Sequence, residues 1–146
     1  SAERHQRMIK HLQQRWFAVL SPAIMVAWDA GLTLLGQPKE YWADHAVTNE
    51  LAPMFNSALQ TSPWAFVAVA ILWTCGIALL VLILPRYLAL LASVSFTTGH
   101  AAAASGWMLY QFNFGYWSLY WYHPLVSALI VAACAHTLQQ DNHSMK

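Results

Sequence analysis

The sequence predicts an all-α membrane protein that crosses the bilayer four times, and three observations support this prediction. Hydrophobic residues make up 58% of the 146 residues and charged residues only 9%, whereas roughly a quarter of a soluble domain is charged. Apolar segments at residues 16–36, 63–84, 87–110 and 119–138 each have the length of about 20 residues that a bilayer requires. Every lysine and arginine lies outside these segments. We therefore expect one integral membrane domain, residues 1–146, folded as a four-helix bundle.

The basic residues predict the orientation of this bundle. One side of the membrane would carry six of the seven lysines and arginines, namely Arg4, Arg7, Lys10, Arg15, Arg86 and Lys146. Lys39 alone would lie on the other side. The positive-inside rule then places both termini in the cytoplasm and the long loop after the first segment outside, in the inner (cytoplasmic) membrane of a bacterium. A net charge of +1 indicates no nucleic-acid partner. The expected partners are the lipid bilayer and other membrane subunits or further copies of the chain.

The first half of the chain contains a basic tail, a spanning segment and the loop. The tail, residues 1–15, has the composition of either a short amphipathic helix on the membrane surface or a simple charged flank. The first segment carries Asp29 and Thr33 one helical turn apart. A loop of about 26 residues follows, and loops of this length in compact domains are often functional or contain a short helix. Tyr41 and Trp42 are expected to anchor it at the membrane interface.

The second half contains three further spanning segments. The second segment has no ionisable residue apart from Cys75, which predicts a packing helix. Cys75 and Cys134 lack metal or redox spacing and are expected to pack as small hydrophobic residues. The third segment carries His100 between small residues, and the fourth carries His123 near its start. The aromatic turn at residues 110–122 would form either an interfacial belt or the wall of an apolar pocket.

Helix geometry predicts that three ionisable side chains lie at one depth. Asp29 and His100 each stand 13 residues beyond the start of their segments, which is about 20 Å at 1.5 Å per residue. His123 lies just inside its own segment on the same side. Ionisable residues within a membrane are costly and usually functional. We therefore take Asp29, His100 and His123 as an outward-facing candidate site, with Glu50 contributed by the loop.

Three interpretations of these side chains remain open. Asp29, His100, His123 and Glu50 provide the nitrogen and oxygen ligands that suit zinc or another transition metal. Alternatively, His100 and His123 could ligate a haem or chlorin between helices. In the third interpretation the residues bind no ligand, and Asp29 forms a structural hydrogen bond with His100 or with a tryptophan N–H.

The run WDAGLTLLGQPKEYW, followed by NELAPM, resembles a pattern of small uncharacterised four-helix bacterial membrane proteins. In that pattern an Asp and a Thr lie four residues apart on the first helix, and a Glu followed by a Pro closes the loop. Asp29, Thr33, Glu50 and Pro53 are the matching positions. The resemblance covers the first third of the chain. It implies the four-helix architecture and no particular chemistry.

These observations predict a small polytopic inner-membrane protein that acts as a subunit or binding protein. Its intramembrane polar site would hold a metal ion or a metallo-cofactor. The alternative is an intramembrane metal-dependent hydrolase of a lipid or membrane-embedded substrate, with Asp29 or Glu50 as general base. The sequence contains no GxSxG, HExxH or P-loop motif, and whether the protein is an enzyme stays open.

Overall fold

The computed structural model of the chain describes residues 2–142, and every regular element among them is a helix. The α-helices are α1 (Ala2–Leu35), α2 (Pro53–Thr61), α3 (Pro63–Ile83), α4 (Arg86–Gly106) and α5 (Tyr116–Asn142). A 3-10 turn lies at Lys39–Trp42 and a π-helical turn at Trp107–Gln111. The predicted all-α class is confirmed. Lys146, which entered the charge count, lies outside the described residues.

Four stretches of helix are long and apolar enough to cross a membrane. They are Arg15–Leu35, Pro63–Ile83, Arg86–Gln111 and Tyr116–Gln139. The prediction of four membrane-length helices is therefore confirmed. The basic tail continues α1 without a break, so α1 is 34 residues long and extends well beyond the apolar part of its own sequence. The turn at residues 84–85 joins α3 and α4 at the end of the bundle opposite the long loop.

Helix α1, like α4, contacts the three other membrane-length helices of the bundle. Small polar residues hold it against α4. The Ser93 hydroxyl donates to the carbonyl of Ala18 at 2.6 Å, and the hydroxyls of Ser21 and Thr97 lie 3.0 Å apart. All three hydroxyl-bearing side chains are buried. Such bonds strengthen the association of membrane helices, for which lipid supplies no hydrophobic driving force.

The segment between α1 and α3 folds over one end of the bundle. Its 3-10 turn and α2 pack on each other through Tyr41, which is fully buried and donates its hydroxyl to the carbonyl of Leu59 at 3.1 Å. The expectation that Tyr41 is an interfacial anchor is wrong, because α2 covers its ring; Trp42 remains exposed. Gln37 connects the segment to α1: its Oε1 accepts the backbone N–H of Asn49 at 2.9 Å, and its Nε2 donates to the carbonyl of Thr33 in α1 at 2.9 Å.

Candidate functional site

The centre of the candidate site is a contact between two spanning helices. Asp29 on α1 and His100 on α4 meet through Oδ2 and Nδ1, which are 2.8 Å apart. Both side chains are mostly buried, with 14% and 15% of their surface exposed. The sequence placed these residues at one depth. The packing of α1 against α4 also turns them toward each other.

A third residue, Trp73 on α3, completes a hydrogen-bonded chain. Its indole N–H donates to Nε2 of His100 at 3.1 Å. Edge-to-face contacts hold the indole in place, with ring centroids 5.8 Å from Phe96 and 6.3 Å from Phe55. An indole nitrogen can only donate a hydrogen bond, so Nε2 accepts and carries no proton.

This chain of donors determines the protonation of the histidine. With Nε2 as acceptor, the proton of the neutral imidazole lies on Nδ1 and is donated to Asp29 Oδ2. The imidazole is therefore neutral, and any charge on the pair belongs to the Asp29 carboxyl group. A charge at this position is costly unless a partner compensates it.

The second oxygen of Asp29 has no such partner. Oδ1 is buried and makes no hydrogen bond to any of the described residues. It belongs to a side chain that lines a cavity of about 260 Å³ between α1, α3 and α4, which we call the polar cavity. Buried acceptors in native proteins are nearly always satisfied, so an unpaired carboxylate oxygen on a residue that lines a cavity is a feature to be explained.

The loop supplies the remaining acidic residue of the polar cavity. Glu50 lines the cavity, and its Oε1 accepts the backbone N–H of Ala52 at 2.8 Å, immediately before α2 begins. No lysine or arginine is among the described residues that line the cavity. Its polar surface is thus formed by two carboxylates, the imidazole and neutral side chains.

The polar cavity is bounded at the loop end by an irregular part of α4. Here the α-helix passes into one π-helical turn, which contains the lining residue Trp107. Such turns occur often beside functional sites. Gly36 allows the indole to approach closely, because a Cβ added at Gly36 would lie 2.6 Å from Trp107 Cε3. The position of Trp107 therefore depends on a glycine at the end of α1.

The structure gathers some of the predicted ligands and not others. Asp29, His100 and Glu50 line the polar cavity, whereas His123 is exposed and is absent from its lining. Among the side chains that the structure describes, no three of His, Cys, Asp or Glu are placed to hold a metal ion together. Equal depth therefore did not imply a common direction: α5 directs Tyr122 inward, where its hydroxyl donates to the carbonyl of Ala101. Ligand binding by the predicted residues stays a prediction.

Comparisons with known proteins identify no relative of this chain. No family model, curated protein or solved structure matches the chain. The site is therefore interpreted from its own residues.

The sequence analysis missed Trp73 as a member of the site. Helix α3 is apolar on all sides, so its hydrophobic pattern does not indicate which face is buried. The spacing of Ala70, Trp73 and Ile77 does place the indole on one stripe with two residues that prove to be buried. That stripe is recognisable only once the contacts of α3 are known.

Proposed function

We propose that this protein is a small integral membrane subunit or binding protein whose polar cavity holds a ligand at Asp29. The observation that carries the proposal is the unpaired Oδ1 of Asp29, a buried acceptor on a side chain that lines a cavity of about 260 Å³. A ligand with a hydrogen-bond donor satisfies this oxygen and removes the cost of leaving it unpaired. Glu50 is a second acidic contact for the same ligand.

The basic residues support a location for this function. We assign both termini to the cytoplasm and the chain to the inner membrane of a bacterium, because six of seven lysines and arginines fall on one side of the four helices. The polar cavity lies at the opposite side, beneath the long loop. Its ligand is then supplied from the outer leaflet or from outside the cell.

A donor-bearing organic ligand fits the present hydrogen bonds better than a metal ion does. Both nitrogens of His100 are engaged, one by Asp29 and the other by Trp73. Zinc or haem ligation by His100 therefore requires the Trp73 indole to move away from Nε2. A metal site would combine Asp29 and Glu50 with the freed imidazole, and His123 would require a rotation of α5.

The metal-dependent hydrolase is the second candidate. One observation favours it, namely that Asp29 holds His100 in the orientation in which carboxylates support a general base or a metal-ligating histidine. Substrate or metal would then replace Trp73 at Nε2. The hydrolase requires more changes to the site than the binding function does, because it needs both a bound metal and displacement of the Trp73 indole.

Analysis of the purified protein tests both functions. The protein and its Asp29→Asn and Asp44→Asn variants are isolated from their membranes in mild detergent. Native mass spectrometry, elemental analysis and an absorption spectrum are then recorded. Asp44 is a matched control because it is an exposed aspartate of the loop. We expect a molecule bound near one per chain in the wild type and in Asp44→Asn, and about tenfold less in Asp29→Asn, as the loss of a charge-assisted bond predicts.

Each readout has a defined meaning. Stoichiometric metal that disappears in Asp29→Asn favours the hydrolase and justifies an assay of lipid hydrolysis. A Soret band identifies a haem-type cofactor. An empty wild-type protein, with all three samples alike, refutes the binding function and leaves Asp29 and His100 as a structural pair.

A further inference from the structure

A second depression adjoins the polar cavity. It is a groove of about 370 Å³ between α1 and α3, which we call the α1–α3 groove. Its lining is apolar apart from Thr74 and Cys75, and the Thr74 hydroxyl is already used, because it donates to the carbonyl of Ala70 at 2.8 Å. The groove therefore offers only van der Waals contact. It lies within two helices of membrane-spanning length, where the surroundings are hydrocarbon chains.

The groove and the polar cavity share part of their walls. Val26, Ala30, Phe66 and Ala70 line both. The two spaces are therefore adjacent, and the smallest side chains of their shared wall are the alanines, one on each helix.

The ionisable residues around the polar cavity indicate which kind of head group an amphiphilic ligand would have. Two acidic residues, Asp29 and Glu50, line the cavity, and none of the described lining residues is a lysine or arginine. In a low-dielectric site an uncompensated carboxylate strongly favours a cation and repels an anion. A phosphate or carboxylate head group is therefore disfavoured, and an ammonium group supplies both the charge and the donors that Asp29 Oδ1 lacks.

We propose that the ligand of the polar cavity is a single-chain amphiphile with an ammonium head group. The head group binds Asp29 Oδ1, and the hydrocarbon chain runs past Ala30 and Ala70 into the α1–α3 groove. The inference rests on the proposed binding function and specifies its ligand. Such a molecule enters sideways from the bilayer, in which its chain is already dissolved.

A larger apolar depression is less suitable for the chain. A groove of about 540 Å³ lies between α1 and α5, lined by residues such as Met25, Trp28 and Leu125. It shares no lining residue with the polar cavity. A hydrocarbon chain in this groove is therefore not adjacent to a head group bound at Asp29.

Two glycines provide a matched pair of variants. Gly31 lines the α1–α3 groove, and a Cβ added there meets nothing within 4 Å, so Gly31→Leu adds a side chain at the groove from an open position. Gly76 on α3 is equally open and lines neither the groove nor the polar cavity. Gly76→Leu therefore controls for the added side chain. Asp29→Asn removes the charge while keeping the shape of the residue.

The experiment uses the full chain in phosphatidylcholine nanodiscs, labelled with ¹⁵N-tryptophan. Dodecylamine, propylamine and dodecanoate are titrated in turn. The indole N–H signal of Trp73, identified by Trp73→Phe, reports binding because this group contacts His100. The short amine tests the head-group site alone, and dodecanoate tests the sign of the charge.

We expect dodecylamine to bind and dodecanoate not to bind. Gly31→Leu should weaken dodecylamine binding about tenfold, because the chain must displace an added side chain, and should leave propylamine within about twofold. Gly76→Leu should change neither. Asp29→Asn should weaken both amines by about tenfold or more.

The failures of the two proposals are distinguishable. If Asp29→Asn weakens both amines but Gly31→Leu behaves as Gly76→Leu does, the chain does not use the α1–α3 groove and this inference is overturned while the binding function stands. Binding of dodecanoate as tight as that of dodecylamine overturns the ammonium head group. If the amines bind with no dependence on Asp29, or fail to bind, the inference is overturned, and the analysis of the purified protein then decides the binding function separately.

Discussion

The hydrogen bond between Asp29 and His100 supports both proposals, and a double-mutant cycle measures it directly. The cycle consists of Asp29→Ala, His100→Ala and the double variant. Each single substitution leaves a buried partner unpaired, since Asp29 provides the acceptor for Nδ1–H and His100 the donor to Oδ2. The double variant removes both partners at once. The difference between its effect and the sum of the single effects is the coupling energy.

The structure indicates the size of this coupling. The bond is 2.8 Å long, links an N–H to a carboxylate, and joins two side chains with 14% and 15% of their surface exposed. Hydrogen bonds to charged groups contribute about 1.5–3 kcal/mol, but couplings between membrane helices rarely exceed about 1.7 kcal/mol. We therefore expect about 1.5 kcal/mol, which is roughly a tenfold change in the unfolding equilibrium.

Reversible unfolding in mixed micelles titrated with dodecyl sulfate, followed by circular dichroism, provides the free energies. Thr98→Ala is the control, because Thr98 is an exposed residue of α4 whose hydroxyl donates to its own helix. Combined with Asp29→Ala it should be additive within about 0.5 kcal/mol. A coupling between Asp29 and His100 that is no larger than this control would refute the pairing.

Three further predictions concern the surroundings of the site. Gly36→Ala should destabilise the protein by about 1–3 kcal/mol and shift the indole N–H signal of Trp107, because the added Cβ would overlap that ring; Gly76→Ala, where nothing lies within 4 Å, should do neither. Ser93→Ala should cost about 0.6 kcal/mol in the same unfolding assay by removing the bond from α4 to α1, and no loss at all would contradict a contribution of this bond. Burial raises the pKa of Tyr41 above its usual value of 10.0, so the native state retains the phenol proton longer than the unfolded chain does. The resulting stabilisation is complete below pH 10.0 and is lost as the pH rises through the raised value. Unfolding measured across this range should show a fall in stability that is absent in Tyr41→Phe, and equal curves for the two proteins would contradict it.

The sequence by itself determined the helical class and the number of membrane-length helices. The physical reason is that hydrocarbon offers no partner for backbone polar groups, so a long apolar segment has helix as its available structure. Helix rise also allowed the depth of Asp29 and His100 to be inferred. The cost of ionisable groups in lipid marked both residues as important before any contact was known.

Only the tertiary structure decided which side chains face one another. Depth along a helix follows from residue number, but the direction of a side chain depends on how the helix is rotated against its neighbours. Helix α5 therefore leaves His123 exposed, although the sequence placed it at the depth of His100. Helix α3, apolar on every face, carried no sign that Trp73 would donate to the imidazole. The pairing of Asp29 with His100, the unpaired oxygen of Asp29 and the adjoining groove all arise from this rotational packing, which in lipid depends on close contacts between helices.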